Sequence, residues 1–135
     1  MIKKTVTYED YNGKTRTEEH LFDLSEAEVI DMEMESETSL SDQLKKLVKE
    51  EDQRGIYRFF KDLVRKSYGV KSADGRRFEK SQQLADEFVQ TRAYVKIFTS
   101  LALNADEASA FVKGVLPVEA LNKAIDDANK TQVSG

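Results

Sequence analysis

The stretch MIKKTVTYEDYNGKTRTEEHLFDLSEAE, residues 1–28, decides how the rest of the chain is read. Ile2, Thr5-Val6-Thr7 and Tyr8 favour a strand, because β-branched and aromatic side chains pack well on a pleated surface. Asn12-Gly13 then predicts a tight type I′ turn, which needs positive φ at both central residues. The return strand runs through Thr15 and Thr17 to Leu21-Phe22. A two-stranded ribbon is marginal alone, so its apolar side must rest on helices or on another chain. Ser25 followed by Glu28 is a capping box, and it starts the first helix.

Outward from there the apolar spacing is helical. Ala27, Ile30 and Met34 share one face of the first helix, widened by Val29 and Met32. A second helix starts near Ser39 or Ser41, carries Leu40, Leu44, Leu47 and Val48, and ends by Gly55. A third carries Ile56, Phe60, Leu63 and Val64, with Gly69 placed at its end in the left-handed position that glycine tolerates. Asp74-Gly75 predicts a tight turn, and Ser81 caps a helix bearing Leu84, Ala85 and Phe88. Tyr94, Val95, Phe98, Leu101 and Ala102 form the next stripe. Asn104 or Asp106 opens a helix with Ala108, Phe111, Val112 and Val115. Pro117, the single proline, marks a break. Val118, Leu121, Ala124, Ile125 and Ala128 then form a last amphipathic stripe before a loose tail. The fold class expected is α+β, mostly α: one N-terminal β-hairpin packed on about six short helices, with the strand signal stopping near Leu24. Residues 1–117 form one domain, and 118–135 form an amphipathic helix and tail that can act as a docking arm.

Composition narrows the function. A chain of 135 residues is one domain's length. It has no cysteine, which excludes disulfides and thiolate metal sites and fits a reducing compartment. No apolar run approaches the length of a membrane span, and the N-terminus lacks a signal peptide's apolar centre, so cytoplasm is the expected location. The net charge of −4 argues against nucleic acid as the main partner. Charge is unevenly spread: residues 9–51 hold 14 acids and 5 bases, whereas 61–80 hold 7 bases and 3 acids. Such opposite blocks attract each other within a molecule or between copies.

Chemistry is sparse. His20 is the only histidine, and no nucleophile–base pair can be built around it; it is expected on the surface of the second strand. Asn12-Gly13-Lys14-Thr15 lacks the glycine that a phosphate-binding loop needs at the position of Tyr8. Asp31, Glu33, Glu35 and Glu37 spread around a helix and fail the calcium-loop pattern. No catalytic residue, metal or cofactor is expected. The contact residues expected are Tyr68, Asp74, Arg76, Arg77, Phe78 and Tyr94 for a partner, and Leu121 and Ile125 for self-association.

Several phrases carry a resemblance. They are KSYGVKSADGRRFEKS (66–81), LADEFVQTRAY (84–94) and FVKGVLP (111–117), with the opening MIKKTVTY (1–8) and the helix start FDLS (22–25). Over roughly residues 1–118 the chain resembles the small tail assembly chaperones of long-tailed bacteriophages with non-contractile tails. The resemblance implies a non-enzymatic role in the host cytoplasm: coating the tape measure protein, whose long apolar stripes would otherwise aggregate. It also implies the major tail protein as a second partner, and weak repeated contacts along the tape measure; the charge gradient and the terminal helix suggest a homo-oligomer. The alternative is a structural tail component, a tube or completion subunit. A tube subunit needs a sheet large enough to pair around a ring, which favours the chaperone.

Overall fold

The computed structural model describes residues 1–117. The hairpin comprises β1 (Ile2–Glu9) and β2 (Thr15–Phe22), paired antiparallel from Ile2 opposite Phe22 to Glu9 opposite Thr15. Three helices follow: α1 (Glu26–Met34), α2 (Leu40–Lys49) and α3 (Gln53–Ser67). Two short strands come next, β3 (Tyr68–Lys71) and β4 (Phe78–Glu79). Then come α4 (Gln82–Phe88), α5 (Arg92–Leu103) and α6 (Ala105–Val115). This is the expected α+β architecture, mostly helical, with the N-terminal hairpin packed on helices. The stripe at 118–128 lies outside the described residues.

Helix starts follow the side-chain oxygens. Ser25 and Glu28 form the reciprocal capping box, each bonding the other's backbone N–H at 3.1 Å. Ser39, Asp52, Ser81, Thr91 and Asn104 cap the other five helices.

The strand signal does not stop at Leu24. β3 and β4 extend the sheet to four antiparallel strands in the order β1-β2-β3-β4. Strands of four and two residues are too short to display an alternating pattern, so only tertiary pairing reveals them. Gly69 accordingly lies inside β3 and not in a left-handed helix end. The Phe78 ring lies over it, so that a Cβ at Gly69 would sit 2.6 Å from that ring and 3.0 Å from the Glu79 carbonyl. Gly69→Ala is therefore expected to cost about 1–3 kcal/mol by overpacking, read as a lower urea midpoint.

Two turns also differ from expectation. The hairpin loop has three residues, Tyr11-Asn12-Gly13. Gly13 donates to the Asp10 carbonyl at 3.0 Å, Asp10 donates to that of Lys14 at 2.8 Å, and only Gly13 has positive φ, +79°. The Asp10 carboxylate accepts the Asn12 and Lys14 N–H groups, which stabilises this looser closure over type I′. At the other turn, α2 ends at Lys49 and Glu51 takes the left-handed conformation (φ 54°), while Gly55 sits in the first turn of α3. The turn at Asp74-Gly75 forms as expected, with Gly75 at φ +75° donating to the Ser72 carbonyl at 2.9 Å.

The core lies between the inner sheet face and the helices, and its centre includes Phe22, Leu63, Val64, Phe88, Phe111 and Val115. α1 is rotated from the expected face. Val29 and Met32 pack inward while Ile30 and Met34 are 57% and 81% exposed. Beside this inward pair the Glu28 carboxylate meets the Lys80 ammonium at 2.6 Å, in the cleft that Met32 also lines. His20 is likewise not on the surface. The register that buries Phe22 turns every second residue inward, so the His20 ring lies 5.2 Å from Phe88 and 6.3 Å from Tyr68. Its side chain is 13% exposed, and Nε2 is buried without a hydrogen bond among the described residues.

Burial pushes the His20 imidazole below its usual 6.5, against the pull of Glu18. Above 6.5 the ring is neutral in both folded and unfolded chains, so it costs nothing. As pH falls below that value the unfolded chain takes the proton first, and stability is lost until the folded value is passed. Melting curves of the wild type and His20→Leu are therefore expected to diverge below about pH 6.5, the wild type falling faster.

Candidate protein-binding groove

A groove of about 830 Å³ lies between α2, α3, α5 and α6. Leu44 and Val48 of α2 form one wall, with Ile56, Tyr57 and Phe60 of α3 beside them. Phe98, Leu101 and Leu103 of α5 and Ala105, Ala108 and Val112 of α6 form the other. The helices meet at an aromatic hinge, where the Tyr57 ring stands edge-on to Phe98 at 4.9 Å. Leu103 and Val48 at the mouth are 82% and 58% exposed. Two capped turns hold the gap open: Asn104 starts α6 directly after α5, and Asp52 starts α3 after the left-handed Glu51.

The charged side chain that lines the groove is a cation. Lys113 lines it, and Gln53 and Tyr57 are shared with a ledge carrying Arg54, Arg58 and Lys61. Lys61 approaches the Tyr57 ring, its Nζ 6.0 Å from the centroid. Among the described residues Arg54, Arg58 and Lys113 have no carboxylate partner. A second cleft, about 470 Å³ between α1, α3 and α4, differs in this respect. Its cations are paired: Lys80 with Glu28, Lys66 with Asp62 at 3.0 Å, and Arg65 with Asp86. Burial alone would raise the Glu28 carboxyl, but hydrogen bonds from Lys80 and the Ser25 backbone outweigh it and hold the group below its usual range. Among the described residues the groove thus offers apolar surface beside cations without a carboxylate partner, whereas the cleft's cations are paired internally.

The contact residues read from the sequence fall in two places. Tyr68 stacks on Phe88 at 4.0 Å, and Tyr94 meets Phe88 edge-on at 5.6 Å. Both are half-buried, and burial raises both phenols above their usual range. Tyr94 also stacks on Phe98, so it supports the groove's aromatic wall from behind. Asp74, Arg76 and Arg77 are exposed in the β3–β4 turn. There the Ser72 hydroxyl donates to Asp74 at 2.7 Å and lowers its carboxyl, and Arg77 pairs with Glu79 at 3.2 Å. Phe78 packs over Gly69, with the Lys80 ammonium 5.5 Å from its centroid. Leu121 and Ile125 lie outside the described residues.

Sequence spacing placed Leu44, Val48, Ile56, Phe60, Phe98, Leu101, Ala108 and Val112 on helix stripes, but it did not single out Leu103 or Ala105 and did not show that the stripes border a groove.

Among the described residues no group of acidic, histidine or cysteine side chains could hold a metal ion, and no helix is long and apolar enough to cross a membrane. The family model described as a phage tail assembly chaperone matches residues 1–134. No curated protein and no solved structure matches the chain.

Proposed function

The chain belongs to the phage tail assembly chaperone family, and from that premise we propose that it binds the tape measure protein and keeps it soluble during tail assembly. The observation that carries this reading is the apolar groove, whose rim cations have no carboxylate partner among the described residues. A tape measure is a very long helical chain, and a helix with an apolar stripe and acidic flanks fits such a groove in shape and charge. The role is non-enzymatic and is exercised in the host cytoplasm. Many weak copies along one tape measure gain by avidity and can still be displaced when tube subunits arrive. The major tail protein is the proposed second partner, met at that displacement, and contacts between chaperone copies add to the coat. Residues 1–117 are the binding domain in this account.

The test is size-exclusion chromatography with light scattering, on the protein alone and co-expressed with the tape measure protein of the same phage. A soluble complex holding many chaperone copies per tape measure supports the proposal. An insoluble tape measure, with the protein forming rings or tubes by itself, replaces it with the structural tail component.

A further inference from the structure

We infer that β1 pairs along its outer edge with β1 of a second copy of this chain, antiparallel about a two-fold axis at Val6, so that Lys3 of each copy faces Glu9 of the other. The pairing specifies how two copies meet and does not rest on the tape measure reading, since β1 does not line the groove.

The sheet order leaves β1 at one edge, with β2 as its strand neighbour among the described residues. Antiparallel pairing turns the backbone groups of alternate residues toward the neighbouring strand, and those of the residues between them away from it. Two bonds fix which are which. The Asp10 N–H donates to the Lys14 carbonyl across the hairpin, so Asp10 and the even-numbered residues of β1 bond β2. The Thr7 carbonyl instead accepts from the Lys96 ammonium of α5 at 2.6 Å, so the odd-numbered residues point outward. Lys3, Thr5, Thr7 and Glu9 thus present a row of amide N–H and C=O groups along the edge. Lys96 holds one of them, is itself exposed, and can release that carbonyl for the loss of one solvent-facing bond. A strand of eight residues makes a long edge. It carries neither the proline nor the bulge that keeps many such edges from pairing.

The residues on the edge select the occupant. Centred on Val6, a two-fold antiparallel pair sets Lys3 opposite Glu9, Thr5 opposite Thr7 and Val6 opposite itself. The outward-facing residues then meet one another, as the ladder requires, with about eight new backbone hydrogen bonds. On the open face Lys3 and Glu9 join opposite charges, and neither has an ion-pair partner among the described residues. Thr5 against Thr7 repeats the contact that Thr7 already makes with Thr17, hydroxyl to hydroxyl at 2.9 Å. Centring on Thr5 or on Thr7 sets Lys3 against Thr7 or Glu9 against Thr5, and both ion pairs are lost. β2 also keeps an edge that strands leave unpaired among the described residues, beyond the two residues that β3 takes. Pairing of β1 with that edge is head-to-tail and does not close on itself.

One strand edge is a small contact beside the roughly 1,200–2,000 Å² of a stable interface, so the dimer should be reversible, with a dissociation constant of about 1–100 µM. The full-length protein alone, followed by sedimentation equilibrium from about 1 to 300 µM, should pass from monomer to dimer. Lys3→Glu and Glu9→Lys each set like charges across the axis and should weaken the dimer about tenfold. The double variant Lys3→Glu/Glu9→Lys restores opposite charges and should return to within about threefold of the wild type. Thr5→Pro removes an outward N–H and leaves the β1–β2 ladder intact, so it should abolish the dimer while the melting temperature moves by only a few degrees. A monomer at every concentration, dimers equally tight in all the variants, or a double variant as weak as the singles overturns the inference. Open assemblies larger than a dimer overturn it too, assigning β1 to the β2 edge of the next copy. No tape measure protein is present in this assay, so none of these outcomes bears on the groove.

Discussion

Phe22→Ala is expected to lower the unfolding free energy by about 3–5 kcal/mol, a large part of the roughly 5–15 kcal/mol that holds a domain together. Phe22 ends β2 and has no exposed surface. Its ring stands edge-on to Phe111 at 5.4 Å and to Tyr68 at 5.9 Å, and lies 5.8 Å from Phe88. It therefore joins β2 to β3, α4 and α6 in one contact set. Truncation leaves a cavity that three rings on different elements cannot close without shifting the sheet. Urea denaturation should show a lower midpoint with an unchanged slope. A loss under about 1 kcal/mol would mean that the sheet and helices do not meet at this residue.

The second large effect is on binding. Val48→Glu with Leu103→Glu places two carboxylates at the mouth of the groove. Each wild-type side chain, if fully buried by a partner helix, contributes about 1.5–3 kcal/mol. Losing both corresponds to a weakening of roughly a hundredfold or more in tape measure affinity, at 1.4 kcal/mol per tenfold. Both side chains are mostly exposed, so the melting temperature should move by only a few degrees. Pull-down of the tape measure protein against urea-midpoint controls separates the two effects. Raising salt should weaken the wild-type complex as the charges of Arg54, Arg58 and Lys113 are screened. Undiminished binding by the double variant would move the contact to another face, the exposed Asp74–Phe78 turn being the first to examine.

The helices were legible because their signals are local. A Ser, Thr, Asp or Asn oxygen stands at each N-cap, and the stripes of α3 and α5 bury Phe60, Leu63, Val64, Phe98 and Leu101 as their spacing implies. The missing parts depend on partners distant in sequence. β3 exists because Tyr68 and Gly69 pair with Phe22 and Leu21, some 47 positions earlier by register. The Glu28–Lys80 ion pair that anchors α1 joins residues 52 positions apart. Periodicity presented two faces on α1 and could not weigh an ion pair that only folding creates. The groove was hidden for a related reason: spacing shows which side of a helix is apolar, not whether a neighbour arrives to cover it. His20 was misplaced because a polar residue in a strand reads as outward until the register is fixed by Phe22.

The closure at Asp23-Leu24 has a consequence for synthesis. These two residues hydrogen-bond Ser67 at the end of α3 and Val115 at the end of α6, at 2.9 and 3.3 Å. A ribosome delivers the chain from its N-terminus, so the hairpin emerges about 90 residues ahead of its last partner, a wait of roughly 5–20 s at ordinary elongation rates. Throughout that interval Val6, Phe22 and Leu24 face solvent with their seal still unmade. The open face of the same hairpin is mostly polar, with Lys3, Thr5, Thr7, Thr17 and Glu19 exposed on it and Leu21 as its apolar member. That gives the nascent ribbon one sticky side instead of two, and a chaperone must itself survive its own birth before it can protect another chain.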